Sequence, residues 1–146
     1  MSMNKKDDAL RGEALKKELK RKGRIMLSKM LSSDGGTLSP NDTALKLNVS
    51  IESLSKLKAD NRIFSVTVDD EVYYPAWQFN ESTQERVQTI LKILAPHSDV
   101  AKLRFFLIHD SDLDGRTRLK ALEDPTKDEL HYIHSEAKVY NTHGCK

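Results

Sequence analysis

The chain is 146 residues long, enough for one hydrophobic core or for two small helical units sharing one. Its single cysteine, Cys145, excludes an internal disulfide, and without a CxxC pair no common zinc framework is available. The net charge of +2 is unevenly spread: residues 1–31 hold ten of the 24 Lys and Arg against four of the 22 Asp and Glu, leaving fourteen against eighteen for the remainder. Positive charge therefore gathers at one end of the chain, where it can meet phosphate or form a solvated helix face.

No stretch approaches the ~20 apolar residues that a membrane span requires. Met1–Lys6 is polar and basic, without the apolar core of a signal peptide. A cytoplasmic location is the expectation.

Residues 7–32 favour a helix, with Leu10, Ala14, Leu15, Leu19, Met26, Met30 and Leu31 at spacings near three and four. Lys16, Lys17, Lys20, Arg21, Lys22 and Arg24 make it densely basic, suited either to phosphate contact or to solvent. Its apolar series implies packing against the domain or against a second subunit, but no strict heptad is present. Ser32-Ser33-Asp34-Gly35-Gly36 breaks the pattern.

Ser39 suits a helix cap and Pro40 a first helical turn, predicting a helix over 40–47. Asn48 tolerates the left-handed conformation of a tight turn. Ser50 caps a second helix over 51–59. A helix-turn-helix needs a small residue at the crossing, a positive-φ turn and apolar residues that lock the pair. Ala44, Asn48, Val49, Leu54 and Leu57 meet these demands, with Leu45 and Leu47 expected to fill beneath.

The period then becomes alternating. Phe64, Val66 and Val68 point one way, Asp69-Asp70 turns the chain, and Val72-Tyr73-Tyr74 returns, predicting a hairpin that Pro75 ends. The order helix, turn, helix, hairpin, Tyr74-Pro75 and aromatic resembles the MerR/excisionase branch of winged helix-turn-helix proteins. That resemblance implies a second helix in the major groove, presenting Ser50, Ile51, Glu52, Ser53, Ser55, Lys56 and Lys58; the charge of the basic helix separately offers Lys16, Lys17 and Lys20 to backbone phosphates. Glu52 on the reading face and the acidic tip Asp69-Asp70-Glu71 oppose phosphate, so a wing that packs on protein is the open alternative.

Further helices are predicted over 83–94, stopped by Pro96; over 99–108, capped by Ser98; from Thr117 to Leu122; and over 127–140. Their inward residues are expected to include Val87, Ile90, Leu91, Leu94, Val100, Leu103, Phe106, Leu107, Leu130, Ile133, Ala137 and Val139 or Tyr140. Tyr74-Pro75, Trp77-Gln78-Phe79, Phe105-Phe106-Leu107, Leu113-Asp114-Gly115-Arg116-Thr117, Leu119 and Ala121-Leu122 resemble the C-terminal domain of Xre/MbcA/ParS-type antitoxins, over about 65 residues of the chain. Arg118 stands where that pattern has Pro, and Asn141 where the last helix often ends in Gly. The resemblance implies a RES-type toxin as partner, met by Leu113, Asp114, Gly115, Arg116 and Tyr140. On the residues alone, Asp114-Gly115 is a turn, Thr117 a cap, and Arg116 a ligand for nearby carbonyls or carboxylates.

His131 and His134 lie on one helix with His143 and Cys145 beyond, but no carboxylate-rich cavity is evident; Asp110, Asp112 and Asp114 do not fall at EF-hand positions. No nucleophile motif or phosphate-binding glycine loop is present. Neither metal nor cofactor is expected, and no enzymatic activity. The expected fold is mainly α: a basic helix over 1–33, a winged helix-turn-helix with a small β-hairpin over 34–79, a C-terminal helical bundle over 80–140 and a flexible tail over 141–146. The expected function is a dimeric, DNA-binding transcriptional regulator of antitoxin type. The alternative is a protein-interaction module whose degenerate helix-turn-helix binds no DNA.

Overall fold

The computed structural model describes the backbone of residues 5–144 and the side chains of residues 11–140. The molecule is mainly helical with a small antiparallel sheet, and divides into two compact units, Met1–Ser33 and Asp34–Lys146. The first unit is a single helix, α1 (Lys5–Ser32), on which Leu15, Leu19, Ile25 and Met26 are exposed.

The second unit opens with β1 (Thr37–Leu38), then α2 (Pro40–Leu47) and α3 (Ile51–Ala59). Both helices start where their caps dictate. The Ser39 hydroxyl accepts the Asp42 N–H at 3.1 Å, and the Ser50 hydroxyl accepts the Ser53 N–H at 3.2 Å. Pro40 costs nothing in the first turn, where its missing N–H has no partner to lose. Asn48 ends α2 in the left-handed region (φ 55°, ψ 48°), and the Val49 N–H returns to the Ala44 carbonyl at 3.0 Å.

β2 (Val66–Val68) and β3 (Glu71–Pro75) form the expected ribbon. Asp69 and Asp70 both take positive φ (50° and 68°), the primed geometry that matches the twist of a two-residue hairpin. β1 was not expected. It pairs antiparallel with β3 through Thr37 with Pro75 and Leu38 with Tyr74, giving the sheet order β1-β3-β2.

Below this sheet lie Ala44, Leu54, Ile63, Tyr74 and Phe79, with Leu38, Leu47, Leu57 and Val72 packed around them. Two expectations fail here. Leu45 is 79% exposed rather than filling beneath α2, and Val49 is on the surface. Ala44 and Leu47 occupy the inward side of α2, and Leu45, one residue on from Ala44, is turned about 100° away from it.

A short 3-10 turn (Ala76–Phe79) leads to α4 (Gln84–Ile93) and α5 (Asp99–Leu107), and a second (Ser111–Leu113) to α6 (Arg118–Ala121) and α7 (Lys127–Gly144). Val87, Ile90, Leu91, Leu94, Leu103, Phe106, Leu107, Ile133 and Ala137 are buried as expected. Val100 and Val139 are exposed instead, because the buried stripes pass through Leu103–Phe106 and through Ile133–Ala137–Tyr140. α7 also continues past Tyr140, through the first residues of the expected tail, to Gly144; Cys145 and Lys146 lie outside the described residues.

Aromatic rings join the segments that flank the β2–β3 ribbon to these helices. Trp77 lies 5.0 Å from Phe106 and 5.5 Å from Phe64, centroid to centroid, and Phe105 meets Phe106 edge-on at 5.7 Å. Ring contacts thus cross the division expected near residue 80.

Candidate nucleic-acid interface

α3 presents Glu52, Ser55, Lys56 and Ala59 at successive i, i+3 and i+4 positions, all exposed, while Leu54 faces the core at 1% exposure. Ile51 is exposed in the first turn beside the capping pair Ser50 and Ser53, whose hydroxyls lie 2.9 Å apart. Six of the seven residues proposed for α3 thus gather at its outer face or N-terminal end, carrying hydroxyls, one carboxylate, one ammonium and one apolar side chain. Such groups can meet base edges and phosphates.

Lys58 behaves differently. Its ammonium donates to the Ser65 hydroxyl at 2.7 Å and to the Asp99 carboxylate at 3.0 Å, tying the end of α3 to the residue before β2 and to the start of α5. Asp99 also faces Lys102 at 4.0 Å; burial, reinforced by Lys58, holds the Lys102 ammonium below its usual pKa despite that carboxylate. Lys58 therefore serves the fold rather than an exposed phosphate-binding surface. The hairpin tip places Glu71 beside Tyr73, whose hydroxyl donates to the carboxylate at 2.7 Å and whose pKa is raised by that bond. Lys16, Lys17 and Lys20 are exposed on α1.

The Leu113–Thr117 loop is built from within. Asp114 (φ 58°) and Gly115 (φ 79°) reverse the chain, the Gly115 N–H donates to the Asp110 carbonyl at 2.9 Å, and Thr117 caps α6 by accepting the Lys120 N–H at 3.0 Å. Arg116 donates through Nε to the Leu113 carbonyl at 2.9 Å and pairs with the Glu129 carboxylate at the start of α7. The Glu129 carboxyl is held below its usual pKa, first by the Thr126 N–H and then by Arg116. Of the residues proposed to meet a partner, Asp114 and Gly115 are exposed and Leu113 is buried. Tyr140 leans on His97 and Phe105, with centroid distances of 4.9 and 5.3 Å.

Beside this loop, Arg118 is engaged with several partners at once. Arg118 donates to the Phe105 carbonyl at 3.1 Å, pairs with Asp110 at 3.2 Å and lies 4.3 Å above the Phe105 ring. The Tyr132 hydroxyl donates to Asp110 and Asp112 at 2.8 and 3.1 Å, and its pKa is strongly raised by burial and by those carboxylates. The partners of Arg118 come from positions 105, 110 and 136, so no local spacing reveals the network.

Among the described residues, no three His, Cys, Asp or Glu side chains cluster to hold a metal, and no helix is long and apolar enough to cross a membrane. In comparisons with known proteins the chain matches no family model, no curated protein and no solved structure.

Proposed function

We propose that the chain is a DNA-binding transcriptional regulator acting in the cytoplasm, with α2 and α3 as a helix-turn-helix, the β2–β3 ribbon as its wing and α3 as the reading helix. The observation that carries this reading is the left-handed turn at Asn48 between two side-chain-capped helices, the second with an uncovered polar face. A helix of this kind fits the major groove, where Ser55 and Lys56 donate to base acceptors, Glu52 accepts from cytosine N4 and Ile51 meets a thymine methyl. Lys16, Lys17 and Lys20 supply sequence-independent phosphate contact.

A toxin partner of RES type rests on the antitoxin resemblance alone, with the Asp114–Arg116 loop as its contact surface. The second reading, an interaction module that binds no DNA, draws on the exposed apolar side chains around the same turn, Leu45, Val49 and Ile51, and on the acidic ribbon tip.

A mobility shift with DNA from upstream of the protein's own gene, at several salt concentrations, separates the two. In the DNA-binding reading Lys56→Glu weakens binding by about 1–3 kcal/mol with the circular dichroism unchanged. Joint replacement of Lys16, Lys17 and Lys20 by Ala weakens binding to all sequences and flattens the salt slope. No shift by folded wild-type protein at low salt supports the interaction module.

A further inference from the structure

A groove in the second unit lies apart from the residues assigned to DNA. It opens where α5 meets Tyr140 of α7, has a volume of about 430 Å³ and is lined by residues of that unit alone. That volume lies within the range of small-molecule sites. Val100 and Arg104 are four residues apart and stand on the same face of α5, with Ile108 just past its end. Val100 and Ile108 are 39% and 36% exposed, and Tyr140 is half-buried, so the groove offers apolar surface that the fold leaves open.

Its charge is of one sign. The lining holds the exposed Arg104 and the imidazole of His97, and no Asp or Glu. The two acids that flank the groove in sequence are engaged elsewhere: Asp99 with Lys58 at 3.0 Å, and Asp110 with Arg118 at 3.2 Å. An entering anion therefore meets a guanidinium without a competing carboxylate. We infer that this groove binds a small carboxylate with an apolar body. The carboxylate sits on the Arg104 guanidinium, and the body lies against Val100, Ile108 and the Tyr140 ring. His97 supplies a second, independent reason. Its Nε2 is buried without a hydrogen-bond partner, and an unmet group of this kind costs stability in the free protein. The Tyr140 ring leans on it, centroids 4.9 Å apart, while the Tyr140 hydroxyl reaches the Ala101 carbonyl at 3.4 Å, the long limit of a hydrogen bond. A slight turn of that ring lets a carboxylate oxygen accept from the imidazole. The binding uses neither α3 nor DNA, so its failure leaves the DNA-binding reading untouched.

The test is a titration of isotopically labelled full-length protein with sodium phenylacetate, followed by amide chemical shifts and taken to about 30 mM. Saturable shifts are expected at residues 97–108 and at Tyr140, with a dissociation constant of about 1–5 mM, ordinary for a ligand of about ten non-hydrogen atoms. Phenylacetamide has the same shape without the charge, and should bind about tenfold more weakly. Arg104→Gln, at an exposed position, should weaken phenylacetate binding about tenfold while the rest of the spectrum is unchanged. Val100→Asp sets a like charge in the groove and should abolish saturation, with helical circular dichroism retained. Absence of saturable shifts at residues 97–108 in the wild type would overturn the site. Equal affinity for phenylacetamide, or unchanged affinity in Arg104→Gln, would overturn its selection of a carboxylate.

Discussion

Gln78 spends its whole amide on the backbone. Its Oε1 accepts the Phe64 N–H at 2.9 Å, and its Nε2 donates to the carbonyls of Phe64 and Pro75 at 2.8 and 3.0 Å. The side chain is 3% exposed, so no water can replace it. Gln78→Leu keeps much of the volume but strands an N–H and two carbonyls, and should cost about 1–3 kcal/mol or more in chemical denaturation. Glu129 makes a pH-dependent prediction. Its folded-state pKa lies below the unfolded value, so its contribution is full above about pH 4.5 and fades as pH falls through the folded value. Glu129→Gln should therefore lower the melting temperature at pH 7, and its difference from wild type should shrink towards pH 3. A gap that persists undiminished at pH 3 would mean that the carboxylate's charge is not what holds Arg116.

At the scale of elements, the legible parts are those whose cause is local. The bounds of α2 and α3 follow from Ser39, Pro40, Asn48 and Ser50, which act within one turn of their own position. β1 was not legible, because two residues become a strand only through partners in β3, 36 and 38 positions away. Leu45 misled because an apolar residue in a short helix does not by itself say which side is inward; Ala44 and Leu47 had already filled that side. Asn48 offers a direct check. Asn48→Ala should destabilise by about 1–2 kcal/mol and Asn48→Gly by little, since the left-handed region penalises a Cβ that lacks a compensating polar group. Equal melting temperatures for the two variants would contradict the turn's geometry.

Across the second unit as a whole, α3 and the residues that flank the ribbon are both tied to α5. Lys58 and Asp99 join α3 to α5 by an ion pair, and Phe64 and Trp77, on either side of the ribbon, meet Phe106 of the same helix through ring contacts. Phe106→Ala should cost about 3–5 kcal/mol and unfold ribbon and C-terminal helices in one transition, because the cavity opens between them. Two separate transitions would show that they fold apart. Residue types made the candidate surface legible from Ser50 to Lys56. They did not show that Lys58 is taken up by Asp99, a partner 41 positions distant.

The most direct test of the central claim is a chemical-shift titration of isotopically labelled full-length protein with duplex DNA from upstream of its gene, at low salt. The DNA-binding reading expects the largest shifts in the backbone amides of residues 50–56, with smaller ones along the basic part of α1 and none at the buried amides of Ile133 and Ala137. Shifts confined to the Asp114–Arg116 loop, or none at all while the protein stays folded, would contradict it.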